Sequence, residues 1–253
     1  MKELRKGLNR QIVAALTIAW INGVLALRRV PLWILVYLLM PLTLLFFFSI
    51  YGNVILMKYA LIGGAIMIAV SNGVAILGDA AFYRIYVKYQ DLLVATPIKP
   101  TSYVIGLSLS MLVFSVPGLA LFILLMWIMG MLTPIFTLTL TLCLIATWAF
   151  SSFMGFAIST LFKQLRHVWP LTTIISLLLS VLPPIYYPAT ILPKGLWWIG
   201  ALAPTGAAAM ILHHVAELAK LDPTTIAISI ASIIGYTALF MILSITKIRW
   251  REK

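Results

Sequence analysis

The chain has 253 residues, of which 63% are hydrophobic and only 9% charged, against roughly 25% charged in a soluble domain. With a mean hydropathy of +1.10 it lacks the polar residues to cover a water-facing surface, which excludes most soluble enzyme folds, nucleic-acid modules and disordered tails. Its net charge of +12 sits in short bursts between long uncharged stretches, the pattern of a membrane topology rather than of a basic nucleic-acid stripe.

An all-α polytopic membrane protein is therefore expected, with the lipid bilayer as its surroundings and no nucleic acid as a partner. Residues 1–30 read as a cytoplasmic tail and a connecting helix. Arg5, Lys6, Asn9 and Arg10 give the start of this segment an amphipathic character, and its apolar part, residues 12–27, is interrupted by Asn22. Sixteen residues reach only about 24 Å, short of the roughly 30 Å hydrocarbon layer. An in-plane helix on the bilayer surface fits this better than a span. A signal peptide fits less well, because no small-x-small cleavage site is evident and Arg28–Arg29 follows at once.

Residues 31–253 then read as one domain of six transmembrane helices, at about 32–51, 59–78, 103–129, 135–162, 168–187 and 226–246. The third and fourth lie within residues 100–162, which contain no Asp, Glu, Lys or Arg, and the turn formers of residues 130–134 separate them. Cys143 lies mid-span as a small apolar residue, and one cysteine allows no internal disulfide. Between spans five and six lies an outer segment, residues 188–222, within which the apolar stretch 195–212 carries Trp197 and Trp198 and is broken by Pro204. Neither half is long enough to cross. A pair of short re-entrant outer helices is expected, or one helix lying at the interface where indole rings are at home.

Lys and Arg set the orientation. With both termini cytoplasmic, fifteen of the 18 basic residues fall inside and only Lys58, Lys194 and Lys220 outside. The spans themselves have no ionisable residue at their centres, where a proton- or sodium-coupled carrier usually needs one. Asp79, at the cytoplasmic end of the second span, reads as a solvated helix-end carboxylate. His213, His214 and Glu217 share one helical stretch, but neither H-E-x-x-H nor H-x-x-E-H is present, so no metal site is expected. No catalytic residues are expected either: a nucleophile elbow and a phosphate-binding loop are both absent from the sequence. The chain reads as a membrane subunit without a nucleotide site of its own. Any ATP and Mg would be bound by another subunit.

The longest cytoplasmic connection, residues 79–102, contains Leu92-Leu-Val-Ala-Thr-Pro-Ile98, with Asp91 before it and Gly106 at the start of the next span. Its middle reads as a short amphipathic helix, with Leu92 and Leu93 free to dock and Arg84, Lys88 and Asp91 in water; Pro97 and Pro100 end it. This loop resembles the first cytoplasmic loop of ABC transmembrane type-2 permeases, the six-span halves of ATP-driven exporters. The likeness extends to the connecting helix ending at Arg28–Arg29 and to the outer segment with Pro183–Pro184, Tyr186–Tyr187–Pro188, Leu192–Pro193 and Ala203–Pro204. The chain departs from the family pattern at Gln90–Asp91, where Glu is more usual, and at His213–His214, where an Arg is expected.

The resemblance implies a coupling helix in which Tyr89, Gln90, Asp91, Leu92 and Leu93 contact a separate ABC ATP-binding subunit. It implies a second permease half, identical or related, and location in the cytoplasmic membrane. It also implies a substrate path lined by the second and fifth spans, where Ser71, Asn72, Thr172, Thr173, Ser176 and Ser180 are the polar positions. Hydrogen bonding between helices explains the same residues nearly as well. The alternative reading is an ATP-independent channel or secondary carrier; a membrane-embedded enzyme is a third, disfavoured by the lack of clustered ionisable groups.

Overall fold

The computed structural model describes residues 2–51, 53–193 and 197–246. Of the positions named above, Lys194 lies outside the described residues, as do the side chains of Arg5, Lys6, Asp91 and Trp197; of the basic residues counted as cytoplasmic, Lys247, Arg249, Arg251 and Lys253 lie outside them too, as does the side chain of Lys2. The described residues are all helix, turn and loop, with no strand among them. In chain order the α-helices are α1 (Lys2–Ala19), α2 (Ala26–Arg29), α3 (Leu32–Tyr51), α4 (Val54–Ile85), α5 (Tyr89–Val94) and α6 (Pro100–Ile128). They continue as α7 (Pro134–Ser159), α8 (Val168–Val181), α9 (Trp197–Leu202), α10 (Pro204–Val215) and α11 (Pro223–Thr246). A π-helical turn, Trp20–Leu25, joins α1 to α2 without a break.

Among the described residues, six helical stretches are long and apolar enough to cross a bilayer: Gly7–Arg29, Leu32–Ile50, Val54–Ile85, Pro100–Ile128, Pro134–Ser159 and Pro223–Thr246. Five coincide with expected spans. The sixth is the amino-terminal helix, whereas the expected fifth span contains only α8, 14 residues long.

Contacts along the helices show how the chain runs. Helix α4 is apolar on every side, and nearly every residue from Tyr59 to Ala81 is buried, as a central helix must be. It lies antiparallel to α6, with Gly64 against the Phe122 ring and Ile68 against Gly118. A Cβ at Gly64 would collide with that ring, so glycine is what permits the approach. Helix α7 descends beside α4, its Ser151 against Gly73 and its Gly155 against Ile76.

Helix α8 then rises antiparallel to α4. Trp169 covers Gly78, Ser176 donates to the Ser71 hydroxyl at 3.0 Å, and Tyr186 lies on Gly63. Residues 168–187 thus pass along the bundle as expected, but only to Val181 as a helix. Pro183 and Pro184 cannot supply helical N–H groups, and residues 182–187 complete the passage without one.

Helix α3 runs in the same sense as α6, with Tyr37 beside Phe114 and Leu38 beside Gly118. So does α1: Gln11 meets Ser102, Ile18 meets Gly106, and Gly23 meets Ser110 and Val113. The chain does not reverse between Arg29 and Leu32. Helix α1, for all its length and composition, leans lengthwise on the first half of α6 and hands the chain to α3.

At the end of the bundle where α4 begins, α9 and α10 fold back as a cap. Thr205 donates to the Leu179 carbonyl at 2.6 Å, Ser232 to the Leu202 carbonyl at 2.7 Å, and the Tyr59 hydroxyl to the Leu218 carbonyl at 2.9 Å. The opposite end carries residues 86–99, the start of α1 and the end of α11.

Candidate functional site: the loop end and the clefts behind it

Helix α4 does not stop at Asp79. It runs six residues further, to Ile85, and Arg84 in its last turn reaches across to α7. The guanidinium donates to the carbonyls of Ser159 (2.8 Å), Thr160 (3.2 Å) and Phe162 (2.5 Å). These are C-terminal carbonyls of α7 and its exit, which have no partner within the helix, and a cation is favoured there by the helix dipole. Arg84 is thus a cap, not the solvated loop residue the sequence suggested.

Lys88 then adopts a left-handed conformation (φ 53°) and starts α5. The short helix has two faces. Leu93 is 8% exposed and packs with Tyr103, Val104 and Phe156, whereas Leu92 is 66% exposed. Gln90 is buried. Tyr89 is half-buried, its ring 5.9 Å from that of Tyr83 and 6.2 Å from that of Tyr103. A side-chain hydrogen bond links it to Asn22 in the π-helical turn; burial raises the Tyr89 hydroxyl pKa, and that bond works against the rise. The expected contact residues therefore divide. Leu92 faces outward, together with Tyr86, which is 75% exposed, while Leu93 and Gln90 anchor the helix to the bundle.

A residue that sequence reasoning missed secures the far side of this loop. Gln11 on α1 donates to the Pro97 carbonyl at 2.8 Å and accepts from Lys99 N–H (2.9 Å) and the Ser102 hydroxyl (2.8 Å). One side chain thus ties the entry to α6 to the amino-terminal helix and satisfies an N–H at the start of α6, where Lys99 makes no side-chain cap. Only its position among basic and polar residues before residue 12 hinted at this.

Of the expected path residues, four come together. Ser71, Thr172, Thr173 and Ser176 line a cleft of about 290 Å³ between α3, α4 and α8, walled by Tyr37 and Trp169. Asn72 and Ser180 do not line it. Both are fully buried, Asn72 donating to the Ile68 carbonyl and Ser180 to the Ser176 carbonyl. Thr172 and Thr173 likewise bond carbonyls four residues back, as hydroxyls in apolar helices commonly do.

A second cleft, about 270 Å³, shares Tyr37 and Trp169 with the first and holds Asp79. The acid sits in it half-buried, with Asn22 of the π-helical turn, Ala26 of α2 and Met111 and Phe114 of α6 closing the far wall. A solvated position at a helix end was expected, and the extension of α4 past Asp79 is the reason it is not found there.

No family model, curated protein or solved structure matches the chain. Sequence pattern and geometry carry the functional reading alone. Among the described residues no group of three or more His, Cys, Asp or Glu side chains could hold a metal ion.

Proposed function

We propose that this chain is the membrane-spanning permease half of an ATP-driven exporter, paired with a second half and driven by separate ATP-binding subunits that carry the ATP and Mg. In this reading both termini and residues 86–99 face the cytoplasm, and cargo leaves across the cytoplasmic membrane. The observation that supports it most is the construction of α5. It is a short helix packed on the bundle through Leu93 and Tyr89 and followed by a loop that Gln11 ties to α1, with Leu92 on it and Tyr86 just before it turned outward. Exposed apolar side chains on an anchored helix suit a hydrophobic groove on a partner. Movement of that partner would be transmitted directly, because α5 sits between α4 and α6 and touches both. A shift of this kind needs a partner that binds two arrangements of the permease with different affinity.

The basic residues favour this orientation. The Ser and Thr cleft between α4 and α8 lies where the family resemblance puts the path, and it opens between helices rather than into the packed core. A channel or secondary carrier without an ATPase is the second reading. The half-buried Asp79 favours it to the extent that a coupling ion needs a carboxylate.

The test is purification of the chain in mild detergent from its native membrane. An ATP-binding subunit is expected to co-purify, to hydrolyse ATP, and to be lost from the complex on Leu92→Asp. A stable, folded protein that never carries an ATPase would overturn the proposal in favour of the carrier.

A further inference from the structure

The Asp79 cleft has a composition that the transport reading does not use. Asn22, Trp33, Tyr37, Asp79, Tyr83 and Trp169 face it, and among the described residues its lining contains a single acid and neither lysine nor arginine. Among the described residues nothing donates a hydrogen bond to the carboxylate, although an acid inside an apolar bundle is costly unless something compensates it. The rings around it pack on one another and, for Trp169, on Gly78 of α4, while Trp33 and Trp169 each keep an exposed side. Trp33 stacks on Tyr37 at 6.0 Å, and Tyr37 meets Phe114 edge-on at 6.3 Å. Asn22 reaches the cleft from a π-helical turn, an irregularity often found at functional positions.

We propose that this cleft binds a lipophilic organic cation, with Asp79 as its counter-charge and the Trp33, Tyr37 and Trp169 rings as its walls. A carboxylate offers the charge that a single buried amine or onium group needs. Aromatic faces attract the same cation through their quadrupoles, most strongly where water is excluded. A volume of about 270 Å³ suits part of such a molecule, and the adjoining Ser and Thr cleft gives its apolar body somewhere to extend. Small inorganic cations are poorly served, since they need several oxygen ligands. Within the exporter reading this names the class of cargo. Through Asn22 and Tyr83 the occupied cleft would also touch Tyr89 of α5.

Binding can be read on the purified chain alone, so the result does not depend on whether an ATPase partner exists. The probe is radiolabelled tetraphenylphosphonium, with neutral triphenylphosphine oxide as its uncharged counterpart. Saturable binding of the cation is expected, weakened about tenfold or more by Asp79→Asn and largely kept by Asp79→Glu. The neutral compound should bind weakly and equally to wild type and Asp79→Asn. Unchanged cation affinity in a folded Asp79→Asn protein would overturn the proposal, as would the absence of saturable binding to wild type. If Asp79→Asn does not fold, wild type decides: equal affinity for the charged and neutral probes would also overturn it.

Discussion

Arg84, Glu217 and His213 each hold an end or a cap of the fold by a different physical device. The Arg84 guanidinium serves three carbonyls at the exit of α7, and hydrogen bonds from a charged donor contribute about 1.5–3 kcal/mol. Arg84→Ala should lower the unfolding free energy in detergent by about 2 kcal/mol. Arg84→Lys should recover only part of it, because one ammonium lacks the planar fork that spans several acceptors. Glu217 stands in the left-handed region at φ 57° directly after α10, where Leu218 N–H bonds the His213 carbonyl and Glu217 N–H the His214 carbonyl. That arrangement usually selects glycine. Glu217→Gly is therefore expected to raise stability by about 1 kcal/mol, read as a higher melting temperature.

His213 lies in the cap, outside the membrane-crossing helices. It is 1% exposed, its ring 4.5 Å from that of Tyr59, and Nε2 has no partner among the described residues. Burial pushes its pKa down from 6.5 to about 3, against an opposing backbone hydrogen bond at Ile185. The folded state thus prefers the neutral ring, and the unfolded chain binds more protons between those two values. The stabilisation is complete above pH 6.5 and is lost as the pH falls toward 3, by about 2 kcal/mol at pH 5. Melting temperatures from pH 7.5 to 5 should fall in wild type and flatten in a folded His213→Gln variant. Asp222, exposed, caps α11 by accepting from Thr225, which lowers its own pKa, so its contribution fades in acid too, at lower pH.

At the scale of elements, α5 has a structural face and an exposed face, and substitutions separate them. Leu93→Asp puts a charge into the cluster around Tyr103 and should destabilise the fold by more than 2 kcal/mol. Leu92→Asp should change it by less than about 0.5 kcal/mol. Gln11→Ala removes the tether without touching the bundle, and hydrogen exchange should quicken in residues 96–102 while α4 stays protected. The sequence showed much of this element and missed its inner half. Pro97 and Pro100 and the amphipathic run were visible. The burial of Leu93 was not, because it depends on Tyr103 and Phe156, distant in sequence from one another. Charge was the other source of error. Asp79 and Arg84 suggested that α4 ended near Gly78, yet both are accommodated within the helix, one by a cleft and one by carbonyls of α7. In α8 the reverse held: uninterrupted hydropathy concealed the helix stop that Pro183–Pro184 impose.

Over the whole molecule, the apolar stretches were legible because twenty consecutive apolar residues have few alternatives to a membrane helix. Which of them crosses separately was not. Residues 7–29 satisfy length and composition, and from the shared direction of α1, α3 and α6 we propose that they add no crossing of their own. A labelling experiment reads this directly. In a Cys143→Ser background, single cysteines at Leu8 and Leu92 should react with a membrane-impermeant maleimide from one side of the membrane, and one at Val54 from the other. Leu8 labelled from the side opposite Leu92 would mean that α1 crosses after all.

The central claim is that the anchored α5 hands motion from an ATP-binding subunit to α4 and α6. Its most direct measurement compares wild type with Leu92→Asp, each purified from native membranes, for a bound ATPase and its turnover. A stoichiometric ATP-binding subunit is expected on wild type, lost from a Leu92→Asp protein that keeps its melting temperature. A wild-type preparation without ATPase, or an ATPase that stays bound and active on Leu92→Asp, would contradict it.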